Sequence, residues 1–252
     1  MCRMKLAAFF DRVPKLRVRD PLAELLGCAE GGVLEYTYAD AVRIAGHSCP
    51  TVATAYWLTW RALHELYPDY LPVRGGVKVD LREGARSGST GVVATVIQML
   101  TGAAGSSGFK GIAGRFSRAG LQRHAPQIPL MLRYTRLDNG MAMDAAADVS
   151  LVPSCAELAD LLARFERGQA DDESLVKLGR LWQERVATLL LDRAWDRAVF
   201  VIRPVDRRHV DTVSHSTTLA TASPVDRNQH RPVRRVLTSA SIATSNTERD
   251  IE

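Results

Sequence analysis

Across Gly46-His47-Ser48-Cys49-Pro50 an imidazole and a thiol stand two residues apart, directly before the clearest amphipathic stretch of the chain. Both side chains are donors for zinc-like divalent metals, and a thiolate is also a nucleophile. Proline is favoured at the first helical position, because the N–H it lacks has no intrahelical partner there. Pro50 therefore predicts a helix that begins at that residue, with Cys49 at its N-cap. Orphan N–H groups and the positive end of the helix dipole would favour a thiolate at that place. His47 and Cys49 are thus candidate metal ligands, and Cys49 is also the candidate catalytic residue. The plain alternative is a buried thiol at a turn, beside an imidazole that only hydrogen-bonds backbone. A thiol-redox role for Cys49 without metal is a third option, although no Cys-x-x-Cys pair supplies a resolving thiol.

Other residues are weighed in the same way. Glycines at 102, 105, 108, 111 and 114 bracket Lys110 and Arg115, a candidate clamp for an anion or cofactor built from backbone N–H groups and two cations. The same glycines serve equally as a loop that needs positive φ and close backbone approach. The loop follows a helix rather than a strand, so it is not a P-loop. Asp40 reads as a helix cap or surface carboxylate, and His124 as a loop residue. Cys28 and Cys155 read as small buried hydrophobes, and Tyr56, Trp57 and Trp60 as core or dimer packing. No Gly-x-Ser-x-Gly elbow is present, which removes serine hydrolases of that type.

These side chains need a frame, and hydrophobic spacing outlines one. A short helix is expected in 20–31, capped by Asp20, and another near Tyr38 leading into Gly46. Val52, Tyr56, Trp60, Leu63 and Tyr67 recur at helical spacing from Pro50, and Pro68 stops that helix. Alternation from Val73 to Leu81 predicts a strand, followed by a helix over Thr90–Leu100. Pro129–Leu137 and Ala142–Val152 flank an Asp138-Asn139-Gly140 turn and read as a hairpin. Helices near Cys155–Arg167 and Asp172–Arg193 and a strand Ala198–Ile202 complete an α+β domain, a mixed or antiparallel sheet packed by helices. The domain is expected over 35–203, after a helical lead-in at 1–34. Ser, Thr, Arg and His dominate 204–252 without hydrophobic period, the composition of a disordered tail.

Composition narrows the classes. The chain has 252 residues and four dispersed cysteines, which excludes a disulfide scaffold and points to a reducing, cytoplasmic setting. No stretch approaches a membrane span, and no export signal is read at the start. The net charge of +5 comes from 33 basic residues mixed with 28 acidic ones. Without a basic stripe carrying interleaved aromatics, nucleic acid is not the expected partner.

The Gly-His-x-Cys-Pro segment, then a helix, a strand and Gln98-Met99-Leu100-Thr101-Gly102, resembles the FmdE-like family, which takes its name from a component of formylmethanofuran dehydrogenase. The likeness spans about residues 35–120. It implies an α+β domain, often dimeric, that binds a divalent metal, usually zinc, through His47 and Cys49. Val92 stands where the family carries a second Cys, Ala45 where a further His often stands, and the C-terminal zinc-ribbon module is absent. Completing a site therefore calls on Asp40, Glu83, Cys28, His124, a partner subunit or water, and such a site would be open in the manner of catalytic zinc. The metal would then act as a Lewis acid or acidify bound water, with the glycine loop shaping a pocket beside it. The resemblance thus implies a metal-binding protein accessory to a metabolic oxidoreductase, with a homodimer partner, while the glycine loop with Lys110 and Arg115 adds a small-molecule or anionic ligand. A non-catalytic dimerisation or accessory module is the remaining alternative.

Overall fold

A computed structural model describes residues 6–84 and 86–206. The expected tail lies outside the described residues from position 207 onward, and among the described residues no helix is long and apolar enough to cross a membrane. The fold is α+β, as expected. Strands β1 (Leu16–Arg19) and β2 (Val33–Tyr36) form an antiparallel ribbon. The main sheet has the order β4-β3-β5-β6-β7, from β3 (Val77–Leu81), β4 (Gln122–His124), β5 (Leu132–Arg136), β6 (Ala142–Ala147) and β7 (Phe200–Pro204). Its pairs are antiparallel apart from β3 with β4, so the sheet is mixed.

Helices α1 (Pro21–Leu25), α2 (Tyr38–Ala45), α3 (Pro50–Leu66), α4 (Thr90–Thr101), α5 (Ala156–Glu166) and α6 (Asp172–Ala187) surround this frame. Helix α3 is the pillar of the core, in contact with α2, α4, α6, β5, β6 and β7. That many neighbours explains why its buried residues run most of the way round, well beyond the stripe read from spacing. Trp57 is fully buried and donates from Nε1 to the Ala194 carbonyl at 2.5 Å. The Thr59 hydroxyl meets the Tyr134 hydroxyl at 2.9 Å, tying α3 to β5.

A charged clasp joins the N-terminal ribbon to the rest. Asp20 caps α1 by accepting from Leu22 N–H and Ala23 N–H. The same carboxylate receives Arg118 at 2.7 Å and Arg74 at 2.9 Å, although Asp20 is only 3% exposed. Arg74 also donates to the Met99 carbonyl in the last turn of α4, where the helix dipole favours a cation. Gly75, with φ +82°, lets Arg118 through, because a Cβ built there would lie 1.3 Å from its Nη1.

The structure corrects several expectations. The 1–34 lead-in is not helical alone: it holds β1, and β2 spans the expected boundary. Only Pro21–Leu25 of the expected 20–31 helix forms, and Gly27 turns away with φ +65°. The strand expected from Val73 begins at Val77, since the left-handed Gly75 breaks the extended run. Strand β6 stops at Ala147, where a 3₁₀ turn over Val149–Leu151 takes over. The helix expected through Arg193 is α-helical to Ala187 and then makes one π turn to Asp192. The last strand runs two residues later than expected. Strand β4 has no apolar alternation to announce it; parallel pairing with β3 creates it.

Candidate functional site

The His47–Cys49 segment is a corner between α2 and α3. Helix α2 closes with Gly46 in the left-handed region at φ +78°, and Cys49 is the N-cap of α3 with Pro50 in the first turn. Ser48, between them, is held at both ends. Its hydroxyl meets the Tyr38 hydroxyl at 2.9 Å, and its carbonyl accepts from Trp182 Nε1 at 3.0 Å and Gln183 Nε2 at 3.2 Å. The corner thereby pins α6 to the start of α3. Burial pushes the Tyr38 phenol above its ordinary value, and the Ser48 hydrogen bond opposes that. Gln183 Oε1 is buried and has no hydrogen-bond partner among the described residues.

The two candidate ligands have opposite environments. Cys49 is buried at 9% exposure among the core side chains and makes no capping hydrogen bond through its sulfur. His47 is exposed, with Nδ1 3.0 Å from the Ala45 carbonyl. A carbonyl only accepts, so in the neutral ring that contact places the proton on Nδ1 and the lone pair on Nε2. Tetrahedral zinc takes three or four protein donors. Among the described residues, no three of His, Cys, Asp and Glu converge into such a group. His47 and Cys49 are thus at most two of the donors such a site needs, and among the described residues no further ones gather beside them.

The other named residues lie elsewhere. Asp40 completes a capping box with Thr37 and pairs with Arg43, the cap role read from the sequence. Burial works to raise its pKa, but hydrogen bonds from Thr37 and the Arg43 charge hold it below the ordinary carboxylate value. Glu83 and His124 line one small cleft of about 150 Å³ beside Thr90 and Gln122, at the ends of β3 and β4. Lys110 and Arg115 are both exposed and engaged with their own loop. Lys110 donates to the Ser106 carbonyl, and the Arg115 guanidinium lies 4.8 Å over the Phe116 ring. Ala113 and Phe116 adopt positive φ at +49° and +63°, so not only glycines take the left-handed backbone in this loop.

Two cysteines differ from expectation. Cys28 and Cys155 are exposed, not buried among apolar side chains. Cys28 follows the early stop of α1, and Cys155 is the N-cap of α5. Cys155 also lines a cleft of about 180 Å³ with Val152, Leu158 and Arg185. The accessible thiol at a helix start is therefore Cys155, and the sequence signal that could have found it is Pro153-Ser154-Cys155 before the amphipathic α5. Iodoacetamide should modify Cys28 and Cys155 in the native protein about tenfold or more faster than Cys49, which needs an opening of the core. Peptide mass mapping reads this directly, and equal rates would contradict the burial of Cys49.

No protein-family model and no curated protein matches this chain.

Proposed function

We propose that this chain is a non-catalytic accessory module of the FmdE-like type, in which the His-x-Cys-Pro segment is an architectural corner. The observation that carries this reading is the engagement of Ser48 by Tyr38, Trp182 and Gln183, with Cys49 packed into the core behind it. Burial of the Cys49 thiol also weighs against a thiol-redox role, since exchange requires access to the sulfur. The resemblance to the FmdE-like family supports the accessory character. It rests on the motif residues and their order alone.

Elemental analysis of freshly purified protein tests this, with Cys49→Ala and His47→Ala beside the wild type. The corner reading expects no stoichiometric zinc in any of them. It expects His47→Ala to change stability by less than about 0.5 kcal/mol and Cys49→Ala to cost about 1 kcal/mol in urea unfolding. About one metal per chain, lost in both variants, overturns it. One observation favours a second reading, in which a divalent metal, zinc by the resemblance, is shared with another copy: the Nε2 lone pair of the exposed His47. No group of three donors forms around it among the described residues, so a second copy would supply the rest. That reading expects metal to appear together with a dimer, and chelation to dissociate both.

A further inference from the structure

Residues 102–121, between α4 and β4, fold back on themselves as a lobe. Its neck is closed where Ala104 N–H donates to the Arg118 carbonyl at 3.0 Å and Gly120 N–H to the Gly105 carbonyl at 2.9 Å. At the far end Ile112 and Arg115 exchange two backbone hydrogen bonds of 2.9 Å. Between neck and tip, the Phe109 carbonyl accepts from Arg118 N–H at 2.8 Å. Among the described residues, the hydrogen bonds of 105–117 all end within 105–120, so the lobe's shape is made by its own backbone. Loops that close on themselves in this way are frequently functional. Ala113 and Phe116 are the only non-glycine residues with positive φ among the described ones, and both lie here. That conformation costs an L-residue energy and is kept where a site needs it.

The lobe brings two kinds of side chain to the surface. Phe109 and Ile112 are apolar and exposed at 45% and 42%, and Lys110 and Arg115 beside them are exposed cations. No acidic residue of the lobe offsets that charge: from Gly84 to Leu137 the sequence has no Asp or Glu, against 28 in the whole chain. The carboxylates met near its base are engaged. Asp20 is held by Arg118 and Arg74, Glu83 faces Arg82 and Ser87, and Asp80 takes Lys78 and Arg123. Among the described residues, neither Lys110 nor Arg115 has a carboxylate within salt-bridge distance. We propose that this lobe docks on the surface of an anionic phospholipid bilayer. Phe109 and Ile112 enter the interface, while Lys110 and Arg115 stay at the level of the headgroup phosphates. Such docking needs no spanning helix. Single-stranded nucleic acid is the less favoured occupant, because bases stack on successive rings. Here Arg115 covers the Phe116 ring, and Ile112 offers no ring at all.

The lobe shares no residue with the His47–Cys49 corner, so this inference goes beyond the accessory reading and either can fail alone. The full chain is mixed with vesicles of phosphatidylcholine, with or without phosphatidylserine, and bound protein is measured by flotation. Binding should appear on the anionic vesicles and weaken as salt is raised, and it should be about 25-fold or more weaker on phosphatidylcholine alone. The double change Lys110→Gln with Arg115→Gln should lose about 25-fold on the anionic vesicles, about fivefold for each cation. Ile112→Ser should lose about tenfold, from the apolar surface it no longer buries. Both variants should melt as the wild type does, because the changed side chains are exposed. No vesicle binding, equal binding to the two compositions, or binding that neither variant weakens overturns the proposal. So does tighter binding of a uridine decamer that the double change weakens, or a dimer that Ile112→Ser dissolves, which would make the lobe a contact between copies.

Discussion

Replacing Asp20 with Asn is expected to lower the unfolding free energy by about 3–5 kcal/mol, the range for removing one partner of a buried ion group. The cost comes from what stays behind. Arg118, 7% exposed, would keep its guanidinium in the interior without its carboxylate, and Arg74 would lose the same partner. The asparagine can still accept from Leu22 N–H, so the α1 cap is partly kept and the loss reports mainly the charges. Urea titration of wild type and Asp20→Asn measures it directly. Arg118→Met in the Asp20→Asn background should recover part of the loss, because an apolar side chain replaces an uncompensated cation.

The pH dependence follows with its sign. Burial works to raise the Asp20 pKa, but the hydrogen bond from Arg74, the Arg118 charge and the Leu22 N–H outweigh it and hold the carboxyl below the ordinary carboxylate value. A group whose pKa is lower in the folded than in the unfolded chain adds stability above the unfolded value. That stability is lost as pH falls through the folded one. The gap between wild type and Asp20→Asn should therefore be full near neutrality and narrow below about pH 4. A gap that stays constant into acid would show that the ionised carboxylate is not what holds the clasp.

Trp57→Ala is expected to be the most damaging core change, at about 3–5 kcal/mol. The side chain is fully buried and is among the largest in the core. Its loss opens a cavity and also strips the Ala194 carbonyl of its indole donor, a second cost of about 1–3 kcal/mol if no water reaches it. The same substitution removes the inner ring on which Trp60 stacks and against which Trp195 leans. Trp57→Phe keeps an aromatic filler and should cost less than half as much as the alanine change. Equal losses for the two would place the effect in the hydrogen bond and not in packing.

The sequence by itself determined those features that depend on residues near one another along the chain. Pro50 and the Val52, Tyr56, Leu63 series start and orient α3, and Cys49 is its N-cap as read. Thr37 with Asp40 closes a capping box, Asp20 caps α1, and Asp138-Asn139-Gly140 turns the β5–β6 hairpin. Caps, turns and helical period rest on contacts within a few residues, so their signals survive in a single sequence.

Long-range pairing decided the rest. Strand β4 exists because Gln122–His124 lies beside Val79–Leu81, and β1 exists because β2 returns to it across α1. The surroundings of His47-Ser48-Cys49 include Trp182 and Gln183, more than 130 residues away, which hold the Ser48 carbonyl. The clasp on Asp20 likewise draws in Arg118 from 98 residues away. No local pattern marks such partners, because the chain between them is closed into a loop only when the whole core condenses. Exposure has the same origin: a cysteine in an apolar stretch is buried only if another element covers it. Helix α3 sits inside a ring of neighbours that covers Cys49, whereas Cys155 stands where α5 begins with its sulfur left in a shallow cleft.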